Sequence, residues 1–186
     1  MPARNRFLLD SLQRKAASAS DGLCVFISHR QSDTAPAQAL ADFLLNGLEI
    51  DVYFDAYDQA LAAASAAIDD TKIVDFIETG LEASTHLLGI FSSRTRGSWW
   101  VPFEVGSASG RGRSLAHVIL DELPDLPSYL CRSQLIIDHL ELAIWAKSLK
   151  PELRSKSLSA VTDSVSIPRL ARARSTPPRL IRDESR

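Results

Sequence analysis

The sequence predicts a doubly wound α/β domain, in which helices cover both faces of a mainly parallel sheet of five strands. Short apolar runs rich in strand-forming residues alternate with amphipathic helical segments between residues 22 and 150. That alternation requires right-handed crossovers and favours a parallel sheet. The length of 186 residues suits a single domain with appendages, and we therefore expect one site.

The first part of the domain predicts two strands and one helix. Residues 23–29 (LCVFISH) form an apolar run that ends in polar residues, as a strand buried on both faces does. After Asp33, apolar side chains recur at helical spacing until an Asn-Gly pair, which is a helix stop. Residues 51–54 (DVYF) predict the second strand. Residues 55–71 are rich in alanine and aspartate and are compatible with a long loop, a weak helix or a mixture of both.

The second part of the domain supplies three strands and three helices. Residues 72–84 place apolar side chains on one helical face, and a buried strand follows at once in THLLGIFSS. Residues 98–110 (SWWVPFEVGSASG) can form a short helix. The fourth and fifth strands are predicted at 114–120 and 133–138, before a closing helix at 139–150.

The segments on either side of the domain at 22–150 are predicted to be appendages. Residues 1–21 form an N-terminal extension whose apolar cluster is too short for a secretion signal. Residues 151–186 carry clustered arginines among serines and prolines without sustained periodicity, so we expect a flexible, basic tail. A solvated tail is favoured over one that binds nucleic acid or an anionic membrane surface.

Composition predicts a cytoplasmic protein with neither a membrane partner nor a metal. Hydrophobic residues make up 45% and charged residues 24% of the chain, and no apolar run is long enough for a membrane span. Cys24 and Cys131 lie in apolar, strand-like contexts, so both are interpreted as buried thiols. The aspartates of 55–71 lack the spacing and glycine of a calcium loop. We expect no resident cofactor.

The predicted topology places a ligand site at one edge of the sheet. In the flavodoxin-like strand order 2-1-3-4-5, ligands bind outside the carboxyl ends of strands one and three. Strand one ends in Ser28, His29 and Arg30, and strand three ends in two serines followed by the stretch SWWVPFE. Glu104, the carboxylate of that stretch, therefore falls where a ligand should bind.

Glu104 combines a carboxylate with a neighbouring aromatic surface. It lies in the first turns of its predicted helix, where backbone N–H groups favour an ionised carboxylate. If the helix includes Trp100, the spacing of four residues puts the indole and the carboxylate on one face; if the helix begins at Pro102, that geometry is looser. Of the two adjacent tryptophans, Trp99 is assigned to the core and Trp100 to substrate contact.

An aromatic wall beside an anion suits a ligand with a flat, cationic ring, such as the nicotinamide riboside half of NAD. Cleaving an ordinary glycoside takes two carboxylates. Nicotinamide leaves from a ring that is already cationic and needs no acid, so one carboxylate suffices. The same residues are also compatible with a helix that packs tryptophan in the core and exposes glutamate to solvent.

The ordered motifs resemble those of Toll and interleukin receptor (TIR) domains over about residues 22 to 145. They are VFISHRQSD, VYFD, the helix IVDFIETGLEAS, the strand LLGIFSS and the stretch SWWVPFE. The last of these is similar to the W-x-x-x-E helix of the family, whose glutamate is catalytic in the NAD-cleaving members. Glu104 occupies the matching position. The resemblance implies the TIR fold.

The resemblance also implies substrate-binding roles for other residues. Trp100 would flank the substrate, Ser28, His29 and Arg30 would line the pocket from the first loop, and Asp55 would open the variable loop after strand two. The segment after Asp55 departs from the family, because it lacks the glycine-bearing loop that several TIR enzymes use for assembly.

A bacterial-type TIR protein with little else attached is similar to the signal-making component of Thoeris antiphage systems. That component converts NAD into cyclic ADP-ribose variants that activate a separate effector. The resemblance thus implies an NAD glycohydrolase or ADP-ribosyl cyclase that self-associates through TIR surfaces and signals to an effector protein. Two alternatives stay open: a catalytically silent TIR interaction module, and an enzyme similar to nucleoside deoxyribosyltransferases.

Overall fold

A parallel sheet of five strands forms the centre of the fold. The computed structural model describes residues 2–8, 22–54, 70–121, 125–155 and 179–181. In chain order the strands are β1 (Cys24–Ser28), β2 (Asp51–Tyr53), β3 (His86–Phe91), β4 (Ser114–Ile119), β5 (Asp125–Pro127), β6 (Gln134–Ile136) and β7 (Arg179–Ile181).

The order of strands across the sheet is β2-β1-β3-β4-β6, and every neighbouring pair is parallel. Because β6 is the fifth strand of this sheet, the order is the predicted 2-1-3-4-5. The predicted α/β fold class is confirmed, and β1 and β3 lie side by side at the switch point of the topology.

Helices connect the first four strands of this sheet, and a further helix follows β6. They are α1 (Thr34–Asp42), α2 (Asp70–Glu82), α3 (Trp100–Gly110) and α4 (His139–Leu149). A π-helical turn, Phe43–Gly47, extends α1 and ends at the predicted Asn-Gly stop. Residues 55–69 of the alanine-rich segment lie outside the described residues. None of the helices in the described ranges is long and apolar enough to cross a membrane.

The sheet is buried on both faces, as its near-continuous apolar strands predict. All five residues of β1 are buried. Val25 and Ile27 belong to one apolar cluster, which includes residues of α1 and α4, whereas Cys24 and Phe26 belong to a second cluster, which includes residues of α2 and α3. Alternate side chains of a strand point to opposite faces, so each strand contributes to both clusters.

Part of the N-terminal extension adds to the edge of the sheet beside β2. Asn5 forms a parallel bridge with Val52. Its side-chain amide donates to the Phe54 carbonyl at 2.7 Å, and its side-chain oxygen accepts from the Phe54 N–H at 3.1 Å. These reciprocal bonds satisfy backbone groups that an edge strand would otherwise leave to solvent.

The Arg6 side chain holds the same N-terminal segment against the sheet. Its side chain is buried at 1% exposure. The guanidinium contacts the Asp51 carboxylate at 2.9 Å through Nε and donates to the Ala83 carbonyl at 2.7 Å through Nη1. A buried charge needs such partners, and these join the N-terminal segment to β2 and to the turn after α2.

The C-terminal segment contributes one short strand. β7 pairs in parallel with β5 to form a separate two-stranded sheet. This pairing involves three residues of the predicted tail at 151–186, and the flexibility of the tail stays a prediction. Pro151–Ser155 form a 3-10 helix; residues 156–178 and 182–186 lie outside the described residues.

The two cysteines differ in burial. Cys24 is buried in β1, and burial raises the pKa of its thiol to about 11. Cys131 is exposed in the 3-10 helix Ser128–Arg132, so the prediction that it is buried is wrong. In that helix the buried position belongs to the preceding residue, Leu130.

His117 is a fully buried histidine in the centre of β4. Neither ring nitrogen has a hydrogen-bond partner among the described residues, and the ring stands edge-on to Phe91 at 5.2 Å. Gly89 lies opposite in β3, and a Cβ there would come within 2.8 Å of the His117 Nδ1. Burial lowers the pKa of His117 to about 4, so the ring is neutral in the folded protein at neutral pH.

We expect this histidine to make the protein less stable in mild acid. The unfolded chain takes up a proton near the ordinary pKa of 6.5, which the folded protein binds only near pH 4. Stability is therefore complete above about pH 6.5 and falls as the pH decreases, by about 2 kcal/mol between pH 7 and pH 5. The His117→Leu variant should lose most of this dependence in urea unfolding at the two pH values.

His139→Gln is the matched control, because His139 lies partly exposed at the start of α4. Some pH dependence should persist in His117→Leu, since burial also lowers the pKa of His86. Equal losses of stability between pH 7 and pH 5 in the wild type and in His117→Leu would contradict the assignment.

Candidate functional site

The carboxyl ends of β1 and β3 form the edge where a ligand site is expected. The two strands pair in parallel, and Ser28 at the end of β1 lies opposite Gly89. Beyond this point β1 leads into residues 29–33, and β3 leads into residues 92–98, which run directly into α3. The elements that carry the predicted site residues therefore converge.

Ser28 and Glu104 are in direct contact. The Ser28 hydroxyl donates a hydrogen bond to the Oε2 atom of Glu104. Ser28 is 1% exposed, whereas Glu104 is half-buried. A hydrogen bond to a carboxylate is stronger than one between neutral groups. The carboxylate is thus held against the end of β1 while part of it faces outward.

The start of α3 decides the geometry around Glu104. The helix begins at Trp100, so Pro102 lies in the first turn, where a missing N–H breaks no intrahelical bond. The Ser98 hydroxyl accepts a hydrogen bond from the Val101 N–H at 3.3 Å. Trp100 and Glu104, four residues apart, therefore lie on one face of the helix.

The two adjacent tryptophans differ in burial. Trp99 is 89% exposed, so the prediction that it packs in the core is wrong. Trp100 is half-buried, packs against the cluster that includes α2 and α3, and meets the Phe103 ring edge-on at 6.2 Å. Trp99 precedes the first helical residue, and the helix turns Trp100 towards the sheet. The role of Trp100 in substrate contact stays a prediction.

Asp33 connects the two loops at this edge. Its side chain is fully buried, at 0% exposure. The Ser92 hydroxyl donates to the Asp33 Oδ2 at 2.7 Å. The Arg94 Nη2 lies 3.6 Å from Oδ1, which makes an ion pair without a close hydrogen bond. Arg30 donates through Nη1 to the backbone carbonyl of Arg94, so three contacts join the loop after β1 to the loop after β3.

Hydrogen bonds within the loop after β3, and others to Asp121 just after β4, also fix this loop. The Ser92 N–H donates to the Thr95 hydroxyl oxygen at 2.9 Å. The Ser93 N–H and hydroxyl both donate to the Asp121 Oδ2, at 3.1 and 3.0 Å. The path from β3 into α3 is consequently set by side-chain contacts on both sides.

The predicted site residues have different positions. Ser28 and Glu104 are in contact, and Arg30 reaches the loop after β3. The His29 ring is tilted against Phe54 at 5.3 Å, and its Nε2 lies 3.4 Å from the Thr34 hydroxyl oxygen, so it faces α1 and the end of β2. Asp55 lies outside the described residues.

Sequence reasoning missed Asp33 and Arg94 as residues that build the site. Asp33 occupies the N-cap position of α1 but makes no side-chain capping bond there. A capping aspartate is the ordinary interpretation of an aspartate in that position. The signal that could have found the contact is the accumulation of polar residues after two adjacent strands. Within the described ranges, no group of three or more His, Cys, Asp or Glu side chains could hold a metal ion.

A family model of the TIR domain matches residues 25–144 of the chain. The match runs from β1 into α4 and includes Ser28, Asp33, Arg94 and Glu104. No curated protein matches the chain.

Replacing Asp33 should destabilise the protein through the two loops that it joins. Asp33→Ala leaves the Ser92 hydroxyl and the Arg94 guanidinium without this partner, and we expect a loss of about 2–3 kcal/mol in the free energy of unfolding. Asp33→Asn keeps an acceptor for Ser92 and should lose less. Urea unfolding at neutral pH measures both.

Asp42→Ala is the control for the Asp33 variants. Asp42 is an exposed aspartate of the same helical region, and its Oδ1 accepts from the Gln38 Nε2 at 3.0 Å. Its replacement should change stability by less than about 0.5 kcal/mol. An equal loss in the two alanine variants would show that the buried contacts of Asp33 contribute nothing beyond those of a surface aspartate.

Proposed function

The chain belongs to the TIR domain family, and from that premise we propose that it is an enzyme that cleaves the nicotinamide glycosidic bond of NAD. TIR domains serve in signalling, and they can be NAD-cleaving enzymes. The observation that supports catalysis in this member is the contact of Glu104 with Ser28 at the carboxyl end of β1. A glutamate that served only as a solvent-exposed charge on the helix surface would not be held by a buried hydroxyl.

In the proposed reaction the bond between the ribose C1′ and the nicotinamide nitrogen breaks, and its electron pair leaves with the nitrogen. Nicotinamide becomes neutral and positive charge develops on the ribosyl ring, as in other glycosyl transfers. The Glu104 carboxylate stabilises that charge from a fixed position. Water or a hydroxyl of the substrate then attacks C1′ and releases one proton.

The residues around Glu104 suit the rest of such a substrate. Trp100 lies on the same face of α3 and offers ring surface beside the carboxylate for the cationic nicotinamide. Arg30 and Arg94, at the same edge of the sheet, can pair with the pyrophosphate. We propose His29 and Asp55 as further residues that line the pocket, His29 from the loop after β1.

The product and the partners follow from the same proposal. ADP-ribose forms if water reaches C1′, and a cyclic ADP-ribose variant forms if water is excluded and an internal hydroxyl attacks. TIR domains commonly self-associate, and we propose that this one does so in the cytoplasm, where its product activates a separate effector in an antiphage response of the Thoeris kind.

Glu104→Gln should abolish the reaction while leaving the fold intact. The amide keeps the shape of the side chain and an acceptor for Ser28 but has no charge to stabilise the ribosyl cation. We expect nicotinamide release from NAD to fall at least about 100-fold. Chromatography of nicotinamide and the ADP-ribose products measures the reaction at high protein concentration.

Glu152→Gln, which changes an exposed glutamate of the 3-10 helix Pro151–Ser155, is the control and should retain full activity. Unchanged release by a folded Glu104→Gln would refute the catalytic assignment. No release by the wild type would favour the TIR interaction module.

Ser28→Ala tests the positioning role of the serine. Without the hydroxyl the Glu104 carboxylate loses one of the contacts that fix it, so we expect kcat to fall about tenfold while KM changes little. Ser84→Ala is the matched control, because Ser84 is another fully buried serine, whose hydroxyl donates to the Gly80 carbonyl at 2.7 Å. It should cost stability and leave kcat unchanged. A parallel fall of kcat in both variants would assign the effect to general loosening of the fold.

A further inference from the structure

A cavity of about 420 Å³ lies between α3 and the 3-10 helix Ser128–Arg132. This volume is within the range of sites that hold small molecules. The cavity is lined by side chains of both helices, of the turn before β4 and of the start of β4, among them Val105, Ser109, Arg113, Leu115, Tyr129 and Arg132.

The cavity faces away from the site at the ends of β1 and β3. Successive residues of an α-helix are about 100° apart around its axis. Pro102 and Gly106, which also line the cavity, are two residues before and two residues after Glu104. Both therefore lie roughly 160° around α3 from Glu104. The two sites share the helix and use opposite faces of it.

The lining combines positive charge with apolar and aromatic surface. Arg113 is half-buried and Arg132 is exposed, and none of the described residues that line the cavity is acidic. Val105 is buried and Leu115 is half-buried, so the floor is apolar. Tyr129 adds a ring that is 42% exposed, and burial raises the pKa of its phenol, which stays a neutral donor at neutral pH.

Arg113 has hydrogen-bonding capacity that the described part of the protein does not use. Its Nε is buried and has no hydrogen-bond partner among the described residues. Its Nη2 reaches the Glu82 carbonyl at 3.5 Å, the far limit of a hydrogen bond. Because the Nε atom is out of contact with solvent, an anion in the cavity would meet this guanidinium at its terminal Nη atoms, of which Nη2 has only this long contact within the described ranges.

We propose that this cavity is a second binding site, which takes a nucleoside monophosphate. Arginine guanidinium groups bind phosphate oxygens with strong, charge-assisted hydrogen bonds. A base can stack on the Tyr129 ring above the apolar floor of Val105 and Leu115. A phosphate alone would contact the arginines but leave the apolar and aromatic surface uncovered, and a base alone would leave the arginines without an anion.

Calorimetric titration of the full chain with AMP at low salt tests the proposal. Arg113→Gln and Arg132→Gln should each weaken AMP binding at least about tenfold. Adenosine and inorganic phosphate should each bind at least about tenfold more weakly than AMP. Arg154→Gln, which changes an exposed arginine outside the cavity lining, should bind AMP like the wild type.

Gly106→Leu blocks the cavity without removing a charge. A Cβ at Gly106 would meet no atom within 4 Å, so the new side chain has room to extend into the cavity. AMP binding should be lost while the melting temperature is kept. Gly110→Leu, at an equally open position of α3 outside the lining, should retain binding.

Glu104→Gln separates this site from the proposed NAD site, since it should bind AMP with unchanged affinity even though it no longer cleaves NAD. The proposal is overturned if AMP does not bind, or if binding survives in Gly106→Leu and in both arginine variants. Loss of AMP binding in Glu104→Gln, or phosphate binding as tight as that of AMP, would also overturn it.

Discussion

The buried carboxylate of Asp33 is the contact on which the shape of the site depends. Backbone pairing between β1 and β3 stops at Ser28 and Gly89; beyond these residues β1 leads into a loop, and β3 continues beside β4 to Phe91 before its own loop begins. A buried charge must be paired, and the partners here, Ser92 and Arg94, come from the opposite loop. The contacts of one carboxylate therefore join the loop after β1 to the loop after β3, where no strand pairing connects them.

This contact is one of several that fix residues 92–98, the segment that connects β3 to α3. A shift of one residue in the start of α3 would rotate every side chain by about 100°. Glu104 would then leave Ser28, and Trp100 would leave the apolar cluster that it packs against. The hydrogen bond between Ser28 and Glu104 thus depends on the position in which α3 packs against the core.

Much of the fold was predictable from the sequence because its strands are apolar on both faces and its helices are amphipathic. The five strands followed from that pattern, and the flavodoxin-like strand order expected for such a fold placed Glu104 near the end of β1. The assignment of Trp99 to the core did not hold, since helical direction depends on the exact first residue. The burial of Asp33 could not be predicted either. In the sequence, an aspartate before a helix has the same pattern whether its side chain caps the helix or contacts another loop.

Helix α3 depends more on its surroundings than on its own sequence. Gly106 lies in its interior, where glycine costs roughly 0.5–1 kcal/mol relative to alanine, and the last turns of the helix are built from small residues. Packing of Val101, Val105 and Ala108 against the sheet compensates for that weakness. Glu104 and the cavity lie on opposite sides of this narrow apolar stripe. The contact of Glu104 with Ser28 and the lining of the cavity therefore both depend on the packing of a single helix.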